Sequence, residues 1–306
     1  MAMTLIEASK LSNDILTQGI IETVVKDSPV LQQLPFIEIT GNGLTYNQEK
    51  TLPDIGFYGV GDDWTESTPE FQQLTATLKI LGGDADVDNF LKATRSNIQD
   101  LQVAVIELKA KALRHKFEEA FIYGDAAANA NAFDGLARLI GTGTESSQLI
   151  AAGDAGGSLS LDLLDEVIDA VRGGKPDMLL MSRRSRRKIN ALVRAAGGLI
   201  ETERDRWGNF VQLWNGIPIG VCDWVKDTHL VADAVETDTD GGDCSTIYAV
   251  QFGEGALCGL TSPGFVQVEA VGPLETKDAS RTRVKWYCAL ALFSSLKAAA
   301  LIGVQD

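Results

Sequence analysis

DNFLKATRSNIQDLQVAVIELKAKALRHKFEEAFIY, residues 88–123, contains neither proline nor glycine and is rich in Ala, Leu, Glu, Lys and Gln, which favour the helix. Leu91, Ile98, Leu101, Val105, Leu108 and Ala112 recur at steps of three, four or seven, as one stripe of a helix does. A second stripe runs through Val103, Ile106, Ala110, Leu113 and Phe117. Two neighbouring stripes predict a broad apolar face lying along a sheet. Asp88 is the expected N-cap and Gly124 the expected stop. At 1.5 Å per residue the helix would be roughly 50 Å long, severalfold the average length. Taken alone, the stretch also fits a long core helix in an ordinary α/β protein.

Around this beam the chain has 306 residues, 45% of them hydrophobic, and a net charge of −15. That composition supports a sizeable core and argues against disorder. An acidic surface repels phosphates, which disfavours tight DNA binding by the whole molecule. The opening MAMTLIEASKLSND lacks a basic segment followed by an apolar run, so it does not read as a secretory signal. No stretch reaches the length of a membrane helix. The nearest, 288–304, is interrupted by Ser294, Ser295 and Lys297. Cys222, Cys244, Cys258 and Cys288 form no CxxC pair and read as reduced thiols in strands.

Before the beam, residues 4–33 read as an arm of short amphipathic helices broken by Gly19 and Pro29. Residues 36–40 and 44–48 look extended, and the intervening Gly41-Asn42-Gly43 predicts a hairpin between them. Pro53, Gly56, Gly59, Gly61 and Pro69 then set an irregular tip. Alternation at Leu74, Ala76, Leu78 and Ile80 predicts a half-buried strand. A loop this long without a helix is usually functional. Its aromatics Tyr46, Phe57, Tyr58 and Trp64 are expected to be exposed and covered by a neighbour.

Beyond the beam, residues 146–158 read as a linker. Leu161, Leu164, Ile168 and Val171 line one face of a helix closed by Gly173-Gly174. Residues 177–181 form a buried strand, and Ser182 caps a helix striped by Ile189, Leu192, Val193 and Ala196. Residues 207–214 and 217–221 flank a turn at Asn215-Gly216, and 246–252 and 256–260 read as further strands. Finally, Val266, Val268 and Ala270 face Val284, Trp286, Cys288, Leu290 and Leu292 across a predicted long hairpin, whose apolar side the beam should cover.

Catalytic signals are weak. The two histidines, His115 and His229, have no nucleophile elbow beside them, and no phosphate-binding loop occurs. The acidic run 236–243, with Asp238, Asp240 and Asp243 before or beside glycines, is similar to a calcium loop. Its twelfth position is Ile247 rather than an acid, so an exposed turn is the plainer reading. Arg183, Arg184, Arg186, Arg187, Lys188 and Arg194 crowd one helix and oppose its dipole. Their compensation is open between Asp162, Asp165 or Glu166 of the same subunit, a neighbouring subunit, and packaged phosphate.

The order of parts, with TATLKILGGDADVDNFL (75–91), FEEAFIYGDAAANANAFDGLARL (117–139), KPDMLLMSRRSRRKINALVRA (175–195), WNGIPIGVCDWV (214–225) and RTRVKWYCALALFSSLKAAALIGV (281–304), resembles the major capsid proteins of tailed bacteriophages, the Hong Kong phage capsid fold. The resemblance implies an α+β chain. Residues 1–33 would be the N-terminal arm and 34–81 the extended loop lying on an adjacent subunit. Residues 82–145 and 264–306 would be the peripheral domain with its spine helix and β-ribbon, and 146–263 the α/β axial domain. It further implies an icosahedral shell of hexamers and pentamers around double-stranded DNA, contacted weakly and assembled in the host cytoplasm. A separate scaffold and a portal would be partners, with no cofactor, metal, membrane or catalytic role. Tyr46, Phe57, Tyr58, Trp64, Arg183, Arg184, Arg186 and Arg187 are the expected intersubunit residues. The alternatives are an encapsulin-like nanocompartment shell and, from another class, a metal-dependent hydrolase using Asp238, Asp240 and Asp243.

Overall fold

A computed structural model describes residues 3–4, 28–51, 54–64, 66–68, 70–90, 94, 101–143, 148–153, 156–204, 208–229 and 242–305. The N-terminal segment holds β1 (Met3–Thr4), α1 (Pro29–Gln33) and β2 (Pro35–Glu38). Next come β3 (Gly43–Thr51), β4 (Glu70–Thr77), β5 (Lys79–Asp88) and the spine helix α2 (Leu101–Tyr123). They are followed by α3 (Leu136–Gly143), β6 (Leu149–Ala151), β7 (Gly157–Ser158), α4 (Leu161–Ala170), β8 (Met178–Met181) and α5 (Arg183–Ala195). Strands β9 (Glu201–Arg204), β10 (Phe210–Trp214), β11 (Ile217–Val221), β12 (Cys244–Val250), β13 (Leu257–Pro273), β14 (Ala279–Leu292) and β15 (Ala298–Gln305) complete the chain.

One sheet has the order β1-β2-β13-β14-β5, and a larger one runs β6-β15-β12-β8-β11-β10-β9 with β7 beside β15. Strands β3 and β4 form a separate two-stranded ribbon. The expected long hairpin is β13–β14, with Val268 opposite Val284 and Val266 opposite Trp286. Its inner face carries Trp286, Val284 and Leu260 into a core closed by Phe117, Phe121, Leu113 and Ile106 of α2. Between Thr261 and Val266 the register slips. Phe265 there takes a φ of 49° and is buried. That conformation is strained for a bulky residue, and it brings the ring edge-on to Phe36.

The spine helix departs from expectation in one respect. Ile106, Ala110, Leu113, Phe117 and Phe121 are buried, whereas Leu108 and Ala112 of the other stripe are exposed. At 3.6 residues per turn, Leu108 and Ala112 lie about 200–240° around from Ile106, so the two stripes occupy opposite sides of the helix. The buried arc instead widens toward Arg114 and Glu118. Leu91 and Ile98 lie outside the described residues. Asp88 ends β5 and its carboxylate accepts the Phe90 N–H at 2.8 Å. Gly124 follows the end of α2, and only glycine fits there, because a Cβ would sit 2.2 Å from the Phe133 carbonyl oxygen.

Four further expectations meet a different arrangement. Gly41-Asn42-Gly43 does not close a hairpin: β2 pairs with β13 and β3 with β4, so the turn carries the chain from one sheet to another. Of residues 34–81, expected as one extended loop, β2 and the start of β5 belong to the five-stranded sheet. The last strand, β15, lies in the segment 264–306 assigned by resemblance to the peripheral domain, yet it pairs with β12 of the larger sheet. The expected boundary at 263/264 falls inside β13.

The α/β part follows the sequence closely. Ser160 and Ser182 cap α4 and α5, accepting N–H bonds from Leu163 and Ser185. Leu164, Val167, Ile168, Leu179, Met181, Ile189, Val193, Ile219 and Ile247 make the second core. Asn215 and Gly216 have φ of 50° and 76°, the left-handed pair of a type I′ turn, and join β10 to β11. All four cysteines are free and buried. No helix among the described residues is long and apolar enough to cross a membrane.

Candidate assembly surfaces

The β3–β4 ribbon pairs from Gly43 opposite Thr77 to Thr51 opposite Glu70, and Leu78 N–H donates to the Asn42 carbonyl where it leaves the body. At its far end the Asp54 N–H donates to Ser67 Oγ at 2.6 Å and the Asp62 carboxylate accepts the Gly59 N–H. These bonds give the tip a shape, although it has little apolar support of its own. Tyr58 stacks on Trp64, 4.5 Å between centroids and 18° between planes. Phe57 and Trp64 remain 109% and 79% exposed.

Tyr46 is different. Its ring lies 4.8 Å from that of Phe293, and burial raises its hydroxyl pKa above the ordinary value. It anchors the base of the ribbon to its own subunit, because its strand starts beside the first core. Of the four aromatics expected on the surface, Phe57 and Trp64 are bare, Tyr58 is half-buried against Trp64, and Tyr46 is inward. Ile55 and Val60, fully exposed at the same tip, were missed. Their signal was apolar residues spaced among glycines.

Helix α5 carries the cationic cluster. Ser185, Ile189 and Val193 face the core, which leaves Arg183, Arg187 and Arg194 exposed and Arg184, Arg186 and Lys188 half-buried. Arg183 forks onto Asp223, with Nε and Nη2 donating at 2.6 and 2.7 Å, and this partner holds the guanidinium more firmly protonated. Arg184 donates to the Asp227 carbonyl at 3.2 Å. Among the described residues no ion pair joins this helix to Asp162, Asp165 or Glu166. Asp165 instead accepts from Trp214 Nε1 and Asn215 Nδ2. Arg186, Arg187 and Lys188 make no ion pair among the described residues, and Arg187 is exposed.

A charge ladder crosses the outer face of the five-stranded sheet, opposite α2. Arg283 binds Asp84 at 2.7 and 3.0 Å, Arg281 binds Asp86 at 2.6 and 2.8 Å, and Lys285 binds Glu269 at 2.8 Å. Cross-strand register sets the first two pairs. Each cation holds its carboxylate below the ordinary range. Alternate acids at 84 and 86 and alternate cations at 281, 283 and 285 were the legible signal.

A cavity of about 230 Å³ lies between Pro29, the α2 residues Arg114, His115 and Glu118, and 221–224. His115 meets Trp224 edge-on, and burial pushes the Glu118 carboxyl up. His229 is buried and lies 2.6 Å from the Tyr123 hydroxyl. Asp238 and Asp240 lie outside the described residues, and Asp243 is exposed just before β12. Among the described residues no group of three or more His, Cys, Asp or Glu is placed to hold a metal ion.

A family model described as SU10 major capsid protein matches residues 8–239. No curated protein matches the chain in sequence. Among solved structures, the holo-SrpI encapsulin complex from Synechococcus elongatus PCC 7942 is similar at a TM-score of 0.69 and 17% identity, covering 100% of this chain and 97% of that one. The capsid of the native GTA particle matches at 0.62 and 15%, over 92% and 90% of the two chains. A chain of Microbacterium phage Oxtober96 matches at 0.62 and 15%, over 91% of each. At these identities the likeness is one of fold.

Proposed function

The chain belongs to the SU10 major capsid protein family and is a shell-forming capsid protein, and from that premise we propose that it builds the icosahedral wall around phage double-stranded DNA as hexamers and pentamers of itself. The shell would assemble in the host cytoplasm with a separate scaffold and a portal, and would touch its DNA weakly because the body is acidic. The role is structural and needs no catalytic residue. The five-stranded sheet and spine helix would form the peripheral domain, and the eight-stranded sheet the axial one.

The observation that supports this reading best is the bare tip of the β3–β4 ribbon. Exposed rings at the end of a two-stranded arm lose roughly 25 cal/mol for every Å² left in water, and an isolated hairpin is marginal. A subunit in a closed assembly regains that area by resting the arm on a neighbour. Replacing 54–68 by a short Gly-Ser linker should leave a folded protein with near-parental circular dichroism that no longer forms closed shells in the electron microscope. Loss of helical signal in that variant would instead make the arm part of the subunit core.

An encapsulin-like compartment is the second reading, favoured by the full-length fold likeness to the encapsulin shell. Nucleic acid recovered from purified native particles supports the phage reading. A packaged protein in particles without DNA supports the compartment.

A further inference from the structure

Charge in this chain is sorted into two one-sided segments. Residues 51–78 contain Asp54, Asp62, Asp63, Glu66 and Glu70 and no Lys, Arg or His. Residues 182–200 contain Arg183, Arg184, Arg186, Arg187, Lys188 and Arg194 and no Asp or Glu. The first segment covers the ribbon tip and β4, and the second covers α5. Among the described residues no ion pair joins Asp54, Asp62, Asp63 or Glu66 to any cation, and although Asp62 accepts the Gly59 N–H, no cation of the same subunit neutralises the charge of the tip.

A tip that must settle on another copy faces a body of net charge −15. Landing on an average patch sets like charges together, which opposes association, whereas complementary patches fix partner and register. The receiving surface therefore needs a local positive excess. Helix α2 also carries exposed lysines, but Glu107 and Glu119 are interleaved with them and Lys116 is bound to Glu119. Helix α5 has no acid within its own sequence, and among the described residues Asp223 engages only Arg183, so Arg186, Arg187 and Lys188 keep a local positive excess. Its arginines also suit the aromatic half of the tip, since guanidinium planes stack on rings. The same contact occurs inside this molecule, where Arg204 lies 4.9 Å over the Phe210 ring.

We propose that the tip of the β3–β4 ribbon docks on helix α5 of a second copy of this chain, with Asp62 and Asp63 set against Arg186 and Arg187 and the guanidinium planes against Phe57 and Trp64. The inference rests on the reading of the ribbon as the assembly arm. It makes the tip and the cationic helix two halves of one contact rather than two separate surfaces.

Charge reversal tests it. Asp62→Lys with Asp63→Lys, or Arg186→Glu with Arg187→Glu, should each lower the yield of closed shells at least about tenfold. The two double changes are equal and opposite, so combining all four keeps the net charge at −15. The combined variant should return the yield to within about threefold of the parent, as a pairwise coupling requires. A control joins the tip reversal to Lys109→Glu with Lys111→Glu, which restores net charge without restoring the contact. That control should stay defective. The proposal falls if the control recovers as fully as the combined variant, if the combined variant is no better than its poorer parent, or if either reversal alone assembles normally. If circular dichroism shows that Arg186→Glu disturbs α5, the lighter pair Asp63→Lys and Arg187→Glu carries the same test. The linker variant separates the two levels of failure. Shells formed without the tip overturn the assembly-arm reading itself, whereas shells lost without the tip and not recovered by the combined variant overturn only the choice of α5.

Discussion

Trp286 of β14 stacks on Phe117 of the spine helix, 4.7 Å between ring centroids and 28° between planes. The indole is fully buried, and its Nε1 donates to Thr261 Oγ1 at 3.0 Å. Phe36 packs against both rings, so helix, ribbon and strand β2 meet at one cluster. Trp286→Ala should therefore destabilise the unassembled subunit by about 3–5 kcal/mol through cavity formation. Thr261 Oγ1 would lose its indole donor and keep only its 3.3 Å bond to the Ser262 carbonyl, which adds to that loss. Trp286→Phe keeps most of the volume and should lose clearly less. Urea unfolding of unassembled subunits measures both, and equal losses for the two variants would contradict this account.

The outer charge ladder gives the subunit an acid dependence of known sign. Asp84 and Asp86 are held below the ordinary carboxylate range, chiefly by the Arg283 and Arg281 hydrogen bonds. A depressed carboxylate binds fewer protons folded than unfolded. Its stabilisation is present above the unfolded pKa, about 3.9, and is lost as pH falls through the folded value. Asp84→Asn with Asp86→Asn should thus flatten the decline of the unfolding midpoint below about pH 4. The difference between parent and variant should shrink in 1 M salt, because these pairs are exposed enough to be screened. A parental slope in the double variant would show that other carboxylates set the acid limit.

The parts legible in sequence are those governed by local chemistry. Ser160 and Ser182 cap helices because a short hydroxyl side chain before a run of helix formers has one good use, and Asn215-Gly216 turns because both positions tolerate positive φ. What escaped was the choice of partner. The apolar alternation of 281–292 runs into the apolar 298–305 with only a single turn of 3-10 helix, Ser295–Lys297, between them, yet the two strands enter different sheets. Periodicity reports burial and is silent on which sheet does the burying. Gly41-Asn42-Gly43 misled for the same reason. Strand β2 is claimed by a distant neighbour, with Phe36 opposite Gly259, where a Cβ would sit 2.3 Å from the ring. The opposite placement of the two α2 stripes, by contrast, was readable from residue spacing alone. At the tip, composition showed the exposed rings but could not show that Tyr46 reaches Phe293, 247 positions along the chain.

The I′ turn between β10 and β11 should resist substitution. Gly216 sits at φ 76°, and a Cβ added there would have no atom within 4 Å, so backbone conformation rather than space decides the outcome. An L-residue in the left-handed region costs about 1–2 kcal/mol. Gly216→Ala should lower subunit stability by that amount, and Gly216→Asn by less, because Asn tolerates this conformation. Thermal melts of unassembled protein distinguish the two, and an unchanged melting temperature for Gly216→Ala would mean that the turn relaxes to another type.

Tyr46 and Trp64 lie on one ribbon and should fail in opposite ways. Tyr46 packs on Phe293 inside its own subunit, so Tyr46→Ala removes buried area and should cost the unassembled subunit about 3 kcal/mol, in the range of large-to-small core changes. Trp64 touches only the half-buried Tyr58 among aromatic rings of the described residues, and its exposed area contributes little to the isolated fold. Trp64→Ala and Phe57→Ala should each leave the unfolding midpoint within about 0.5 kcal/mol of the parent, as surface substitutions do. The same two variants should reduce shell yield, since rings buried at the centre of a contact carry most of its energy. Paired measurements, urea unfolding of subunits and sedimentation of assembled particles, place each variant on two axes. Tyr46→Ala should move chiefly along the first and the tip variants along the second. Trp64→Ala that unfolds the subunit while particles still form would reverse the assignment, making the tip a structural brace and leaving the assembly contact to another surface.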